Sequence, residues 1–259
     1  MKTVRTLSYL LLALSAIASL GGMLLPNLYR DTEFYRLVWQ NNDGVTLVLA
    51  VPALLVAIRR TDRGSRRAHL IWLGLLVYLF YNYAFYLFGA AFNWFFLLYV
   101  AIFALSVYAL ALGLWHLDTV TLSHWFEEKT PVRWIAAFLV AIALPLIIVE
   151  AGQCVRFIST GQPPASPSLI FALDLSFVVP NMILGAVLLW RRQAWGYVLA
   201  ALMLVKGITY GAVLSWSATV IWFSDLPEKD VLLPFYLFVL CGSLVFSWLL
   251  LKNLKPVVL

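Results

Sequence analysis

Residues 169–222 read LIFALDLSFVVPNMILGAVLLWRRQAWGYVLAALMLVKGITYGAVLSWSATVIW, and they decide the class of fold. Two long apolar runs flank the pair Arg191-Arg192. At 1.5 Å per residue each run is long enough to cross a hydrocarbon core of about 30 Å. Each also holds a charge that hydrocarbon rejects: Asp174 in the first run and Lys206 in the second. Such a charge costs on the order of 3 kcal/mol or more in lipid, so it faces a bundle interior and finds a partner there. The expectation is a transmembrane helical hairpin with an internal polar site.

Composition extends that reading to the whole chain. Of 259 residues, 63% are hydrophobic and 12% are charged, with a mean hydropathy of +0.92. Soluble domains carry about a quarter charged residues, so a soluble globular protein is excluded. Cys154 and Cys241 form no C-x-x-C, which argues against thiol-redox chemistry or a zinc ribbon. His116 and His124, with Glu127 and Glu128, match no zincin spacing, and no metal or cofactor is expected. Nucleotide-binding and nucleophile-elbow motifs are missing from the sequence, and nothing in it supports nucleic-acid binding.

Scanning for about 20 consecutive apolar residues gives eight spans, near 7–25, 44–60, 69–90, 93–115, 133–152, 169–190, 195–222 and 231–251. The fold class expected is all-α: a polytopic bundle of about eight transmembrane helices in one integral membrane domain, 1–259. Lys2, Arg5 and the run ending at Ala16-Ile17-Ala18 resemble a signal peptide. Apolar sequence continues through Leu25, long enough for a retained first helix, and both readings stand.

Basic residues orient the bundle. With the N-terminus in the cytoplasm, Lys2, Arg5, Arg59, Arg60, Arg63, Arg66, Arg67, Lys129, Arg133, Arg191, Arg192, Lys252 and Lys255 fall inside. Arg30, Arg36, Arg156 and Lys229 fall outside, a positive-inside asymmetry that puts both termini in the cytoplasm of a cell membrane. The inner run RRTDRGSRR (59–67) would attract anionic lipid headgroups, or simply fix topology. Residues 31–40 and the stretch around Leu122, Trp125 and Phe126 read as interfacial segments. Residues 161–167 (GQPPASP) read as an outer turn.

A tandem arrangement is a further expectation. The second span carries Asp43, Val51-Pro52 and Arg59-Arg60; the sixth carries Asp174, Val179-Pro180 and Arg191-Arg192. Two four-helix copies in parallel, with halves 1–130 and 131–259, would account for this pattern.

The candidate site gathers on three spans. Asp174 and Asn181 are seven residues apart and share one helix face, about 10 Å apart in depth. Lys206 comes to about the depth of Asn181 and can reach toward Asp174, with Tyr210 one turn outward. Buried lysine and aspartate pKa values shift readily, which suits proton coupling. In the third span Tyr78, Asn82 and Tyr86 recur at four-residue steps and form a polar-aromatic stripe. Asp43 and Glu150, near outer helix ends, are candidates for an acidic outer vestibule.

YNYAFYLFGAAFN (81–93) and LDLSFVVP with WRRQAWGYVLAALMLVKG (173–180, 190–207) resemble segments of an uncharacterised bacterial family of multi-pass membrane proteins. The resemblance implies a bacterial cytoplasmic-membrane location and no particular activity. From the residues, the leading reading is a small-solute or ion permease whose partner is the lipid bilayer. The alternatives are a membrane sensor or assembly protein in which the same polar groups only fix packing, and a membrane-embedded enzyme acting on lipid. The last lacks a nucleophile–base pair.

Overall fold

Every expected span is a helix in the computed structural model, which describes residues 2–118, 122, 125–164, 166–227 and 229–255. His124 of the loop after His116 and Ala165 of the Pro-rich turn lie outside these residues. Eight helices among them are long and apolar enough to cross a membrane. They are α1 (Lys2–Leu24), α2 (Glu33–Asp62), α3 (Arg66–Phe88), α4 (Phe96–Trp115), α5 (Val132–Thr160), α6 (Ser168–Trp190), α7 (Ala194–Phe223) and α8 (Leu233–Lys252). Exposed side chains such as Leu10, Val48, Leu97, Ile148 and Val245 are apolar, which suits a lipid surface and not water.

One helix, α2, runs further than hydropathy suggests. Residues 31–40 do not form a separate surface helix, because α2 runs unbroken from Glu33 through the polar stretch Asn41-Asn42-Asp43-Gly44. Asn and Asp usually end helices by bonding to their own backbone. Here Asn42 and Asp43 bond to side chains of other segments and leave the helix ladder intact. The stretch around Phe126 differs too, since it is not an interfacial segment. Leu122 and Phe126 are buried, the Phe126 ring stacks on Tyr197 at 4.2 Å, and Glu127 N–H donates to the Asn253 carbonyl. Protein, not headgroups, covers that apolar surface.

Prolines shape α2 and α6 alike. Pro52 and Pro180 lack the N–H that an α-helix needs, and the ring crowds the carbonyl four residues back. The ladder widens just before each one: π turns occupy Thr46–Ala50 and Asp174–Val178. Val51 N–H reaches back to the Thr46 carbonyl and Val179 N–H to the Asp174 carbonyl. A third π turn, Ile147–Ala151, holds Glu150 and follows Pro145.

The positions of these features recur 128 residues apart. Pro52 and Pro180, the two π turns, the helix ends Asp62 and Trp190, and the helix starts Arg66 and Ala194 all keep that spacing. So do two of the four left-handed residues, Gly64 (φ 82°) and Arg192 (φ 54°). The buried residues Leu54, Ala57 and Ile58 recur as Met182, Gly185 and Ala186. In this register Asp174 corresponds to Thr46, not to Asp43, and the two Arg pairs do not coincide.

The chain divides into two compact units, one of Met1–Leu117 with Leu204–Ser247 and one of Asp118–Met203 with Trp248–Lys255. In the first, α3 is the central element, buried along most of its length, with α1, α2 and α4 packed around it. Trp72 Nε1 donates to Ser8 Oγ at 2.9 Å, tying α3 to α1. A Cβ on Gly113 would lie 2.6 Å from Leu73 Cδ2, so α4 approaches α3 closely. Gly207 and Gly211 of α7, spaced as a small-xxx-small pair, let Ser243 and Leu240 of α8 come close. In the second unit α5 packs along the C-terminal half of α6, and the Arg133 guanidinium lies 5.5 Å from the Trp190 ring.

Candidate functional site

The site in the first unit is built on two faces of α3. On one face the stripe Tyr78, Asn82 and Tyr86 meets α2. Tyr86 Oη donates to Asp43 Oδ1 at 3.0 Å, and the Tyr29 hydroxyl donates to Asp43 Oδ2. Asn42 Nδ2 donates to Asn82 Oδ1 at 2.7 Å, and the Thr46 and Tyr78 hydroxyls share a hydrogen bond of 2.6 Å. The π turn begins at Thr46, so the widened ladder sits where α2 presents these groups.

Asp43 is 1% exposed. A carboxyl group so placed needs partners that replace its water, and leaving it short of one costs roughly 1–3 kcal/mol. Two phenols supply them. Gly22 of α1 makes the room, because a Cβ there would sit 1.8 Å from Asp43 Oδ2 and 2.5 Å from the Tyr29 hydroxyl. Tyr29 lies in the α1–α2 connection. Burial, and after it the Asp43 carboxylate, pushes its phenol well above the ordinary value, so it remains a donor at any physiological pH. Asn82 is fully buried, and its Nδ2 has no acceptor among the described residues.

On the other face of α3, Tyr81 and Phe85 meet α7. Lys206 is 6% exposed, with its Nζ 3.7 Å from the centre of the Tyr81 ring and 4.9 Å from that of Tyr210. The two rings stand edge to face at 4.9 Å, and Phe85 stacks on Tyr210 at 5.9 Å. Cation–π contact with two desolvated rings is worth about 2 kcal/mol or more, part of what a lysine loses on leaving water. Lys206 and Tyr210 therefore share a face, as their spacing implies.

In the second unit Asp174 and Glu150 are buried, at 8% and 6% exposure, each within a π turn. Asn181 is half-buried, and its Nδ2 donates at 2.7 Å to the Phe177 carbonyl of its own helix. The first unit thus brings together Asp43, Tyr78, Asn82 and Tyr86, and separately Lys206 and Tyr210. Sequence reading passed over Tyr29, Asn42, Thr46 and the ring of Tyr81. The signal for Asn42 and Thr46 was their one-turn spacing from each other in a helix that hydropathy started too late.

The protein is a multi-pass helical membrane protein with buried polar residues, Asp43, Asp174 and Lys206 among them. No family model, no curated protein and no solved structure matches the chain, so the resemblance to a bacterial family, and with it a bacterial origin, has no support from these comparisons.

Proposed function

We propose that the chain is a small-solute or ion permease of the cell membrane, built from two tandem four-helix copies, with Asp174 and Lys206 as its charged pair. The observation that carries the transport reading is Asn82. A network kept only for packing closes its hydrogen bonds, whereas a fully buried amide with a spare donor is what a bound solute would complete. Tyr78, Tyr86, Asn181 and Tyr210 join it as hydrogen-bonding groups, and Asp43 and Glu150 serve the outer side.

The recurrence at 128 residues supports the pairing. Thr46 and Tyr78 share a hydrogen bond, and the residues at those places in the second copy are Asp174 and Lys206. An acid and an amine in place of two hydroxyls is the substitution expected where an ion pair replaces a hydrogen bond. Both termini lie in the cytoplasm on this reading, and the Arg-rich hairpin 59–67 meets anionic headgroups there. Its support is the distribution of Lys and Arg along the chain.

A packing role, as in a sensor or assembly protein, is favoured by one observation: Asp43 already has two phenol donors and needs no ligand. A cysteine at position 206, in a background lacking Cys154 and Cys241, separates the readings. A permease admits water, so a charged thiol reagent modifies that cysteine from one side of the membrane. Lack of reaction, together with full recovery of stability in Lys206→Met/Asp174→Asn over either single change, would assign the pair to packing.

A further inference from the structure

The end of α7 stands beyond the start of α8, and a crevice opens there. Gly207 meets Ser243 and Gly211 meets Leu240, so the two helices run antiparallel; a Cβ on Gly211 would lie 3.2 Å from the Leu240 backbone. From Leu240 it is only seven residues back to the start of α8 at Leu233, whereas α7 continues twelve residues past Gly211, to Phe223. At 1.5 Å per residue, the last turn of α7 therefore has no α8 beside it, only the connection 224–232. The space left is a crevice of about 400 Å³, within the size range of small-ligand sites. Its walls are Thr219, Trp222 and Phe223 of α7 and Leu233 and Pro234 of α8, and Asp230 lines it from the connection. Thr219 spends its hydroxyl proton on the Ser215 carbonyl at 2.7 Å, which leaves Asp230 as the one charged group in an otherwise apolar lining.

We propose that this crevice binds a lipophilic amine, an apolar body carrying one protonated nitrogen, taken up from the bilayer. Charge decides the class. Asp230 makes no ion pair with any described residue. The neighbouring Lys229 does not cancel it, because its Nζ donates to the carbonyls of Ile221, Trp222 and Ser224 at 3.3, 3.2 and 2.6 Å. All three donors of that ammonium are spent on the end of α7, where a cation also suits the helix dipole. A lipid phosphate finds no free donor on that lysine, which argues against an ordinary zwitterionic phospholipid as the occupant. Asp230 Oδ1 accepts the Leu232 N–H at 2.9 Å, as a capping residue does ahead of a helix. Asparagine or serine caps as well, so the cap alone does not call for a charge. Oδ2 has no hydrogen bond to a described residue and is open to an ammonium N–H. Trp222 and Phe223, both exposed, offer ring faces that attract a cation and cover an apolar body. The apolar side chains exposed around the mouth, Val231 and Leu232 with those rings, make lipid the side of entry.

The probe is tritiated dodecylamine, added to the full chain in phosphatidylcholine nanodiscs and counted by scintillation proximity against empty discs. Native protein should show saturable binding above the empty discs. Unlabelled dodecylamine should displace the probe at a concentration at least tenfold below dodecanol, and dodecyl phosphate should not displace it. Asp230→Asn keeps the cap and removes the charge, so it should weaken binding at least tenfold at unchanged melting temperature. Thr219→Trp fills the crevice while leaving Asp230 in place, and it should abolish binding. If Asp230→Asn fails to fold or melts lower, Thr219→Trp decides, with full loss expected and native-like binding fatal. The proposal is overturned by no saturable binding in native protein, by native-like binding in either variant, or by dodecanol competing as well as the amine. It is also overturned if phosphatidylethanolamine in the discs abolishes binding of the probe, since a lipid headgroup then holds the crevice.

Discussion

Gly22→Ala should destabilise the protein far more than the same change at Gly44, although each adds one methyl to a helix within reach of Asp43. At Gly22 the new Cβ would lie 1.8 Å from Asp43 Oδ2 and 2.5 Å from the Tyr29 hydroxyl. Restoring an ordinary contact moves the carboxylate by about 1.5 Å, which is enough to break or bend a hydrogen bond that must stay near 3 Å. Leaving a buried polar group short of one such bond costs about 1–3 kcal/mol, and the overpacking adds about 1 kcal/mol. A total near 3 kcal/mol corresponds to a fall of roughly 6–12 °C in melting temperature. Gly44 meets nothing within 4 Å, so there alanine brings only its better helix propensity, a gain of up to ~1 kcal/mol. Thermal unfolding of both variants in one detergent, followed by circular dichroism, measures the contrast. The double variant Gly22→Ala/Asp43→Ala should be no less stable than Asp43→Ala, because the methyl then fills space the carboxylate has left. Equal shifts at Gly22 and Gly44, or strict additivity in the double, would refute the packing argument.

Other perturbations probe the remaining contacts. Tyr29→Phe removes one of the two donors to Asp43 and should cost about 2 kcal/mol, seen as a lower melting temperature; an unchanged one would mean the bond is idle. Tyr81→Leu takes away the ring 3.7 Å from Lys206 and should lower stability by about 1–2 kcal/mol; if it melts as high as native protein, the lysine draws nothing from that ring.

The sequence carried the fold further than the site, for a physical reason. Hydrophobic length is a property of one helix, so all eight spans were legible from runs of apolar residues. Pairing is a property of two helices, and Asp43 shows what that hides. Hydropathy started α2 at residue 44 and left Asp43 near water, because nothing local says that Tyr29 and Tyr86 will meet it. The four-residue stripe Tyr78, Asn82 and Tyr86 was legible because a helix fixes its own faces. Which helix that stripe meets was not. Prolines 52 and 180 stood out in the sequence, but the π turns just before them, and the 128-residue recurrence those turns share, needed backbone geometry.

Pro52→Ala isolates the part that geometry adds. By propensity alone the change should stabilise α2 by about 3 kcal/mol, since alanine restores an N–H and removes a ring clash. Against this stands the Thr46–Tyr78 hydrogen bond of 2.6 Å, made from the first residue of the π turn. If the ladder closes into a regular α-helix, one residue is drawn into the turn, and everything before it rotates by about 100°. Thr46, Asn42 and Asp43 would all swing off the face that meets Tyr78, Asn82 and Tyr86. The bonds at stake join buried polar groups, each about 1–3 kcal/mol to leave unmade, and together they outweigh the propensity gain. The variant should therefore either keep its π turn with little gain in stability or lose it and melt lower. A rise in melting temperature of the full size propensity predicts, with the π turn gone, would mean that the polar face of α2 does not depend on that turn.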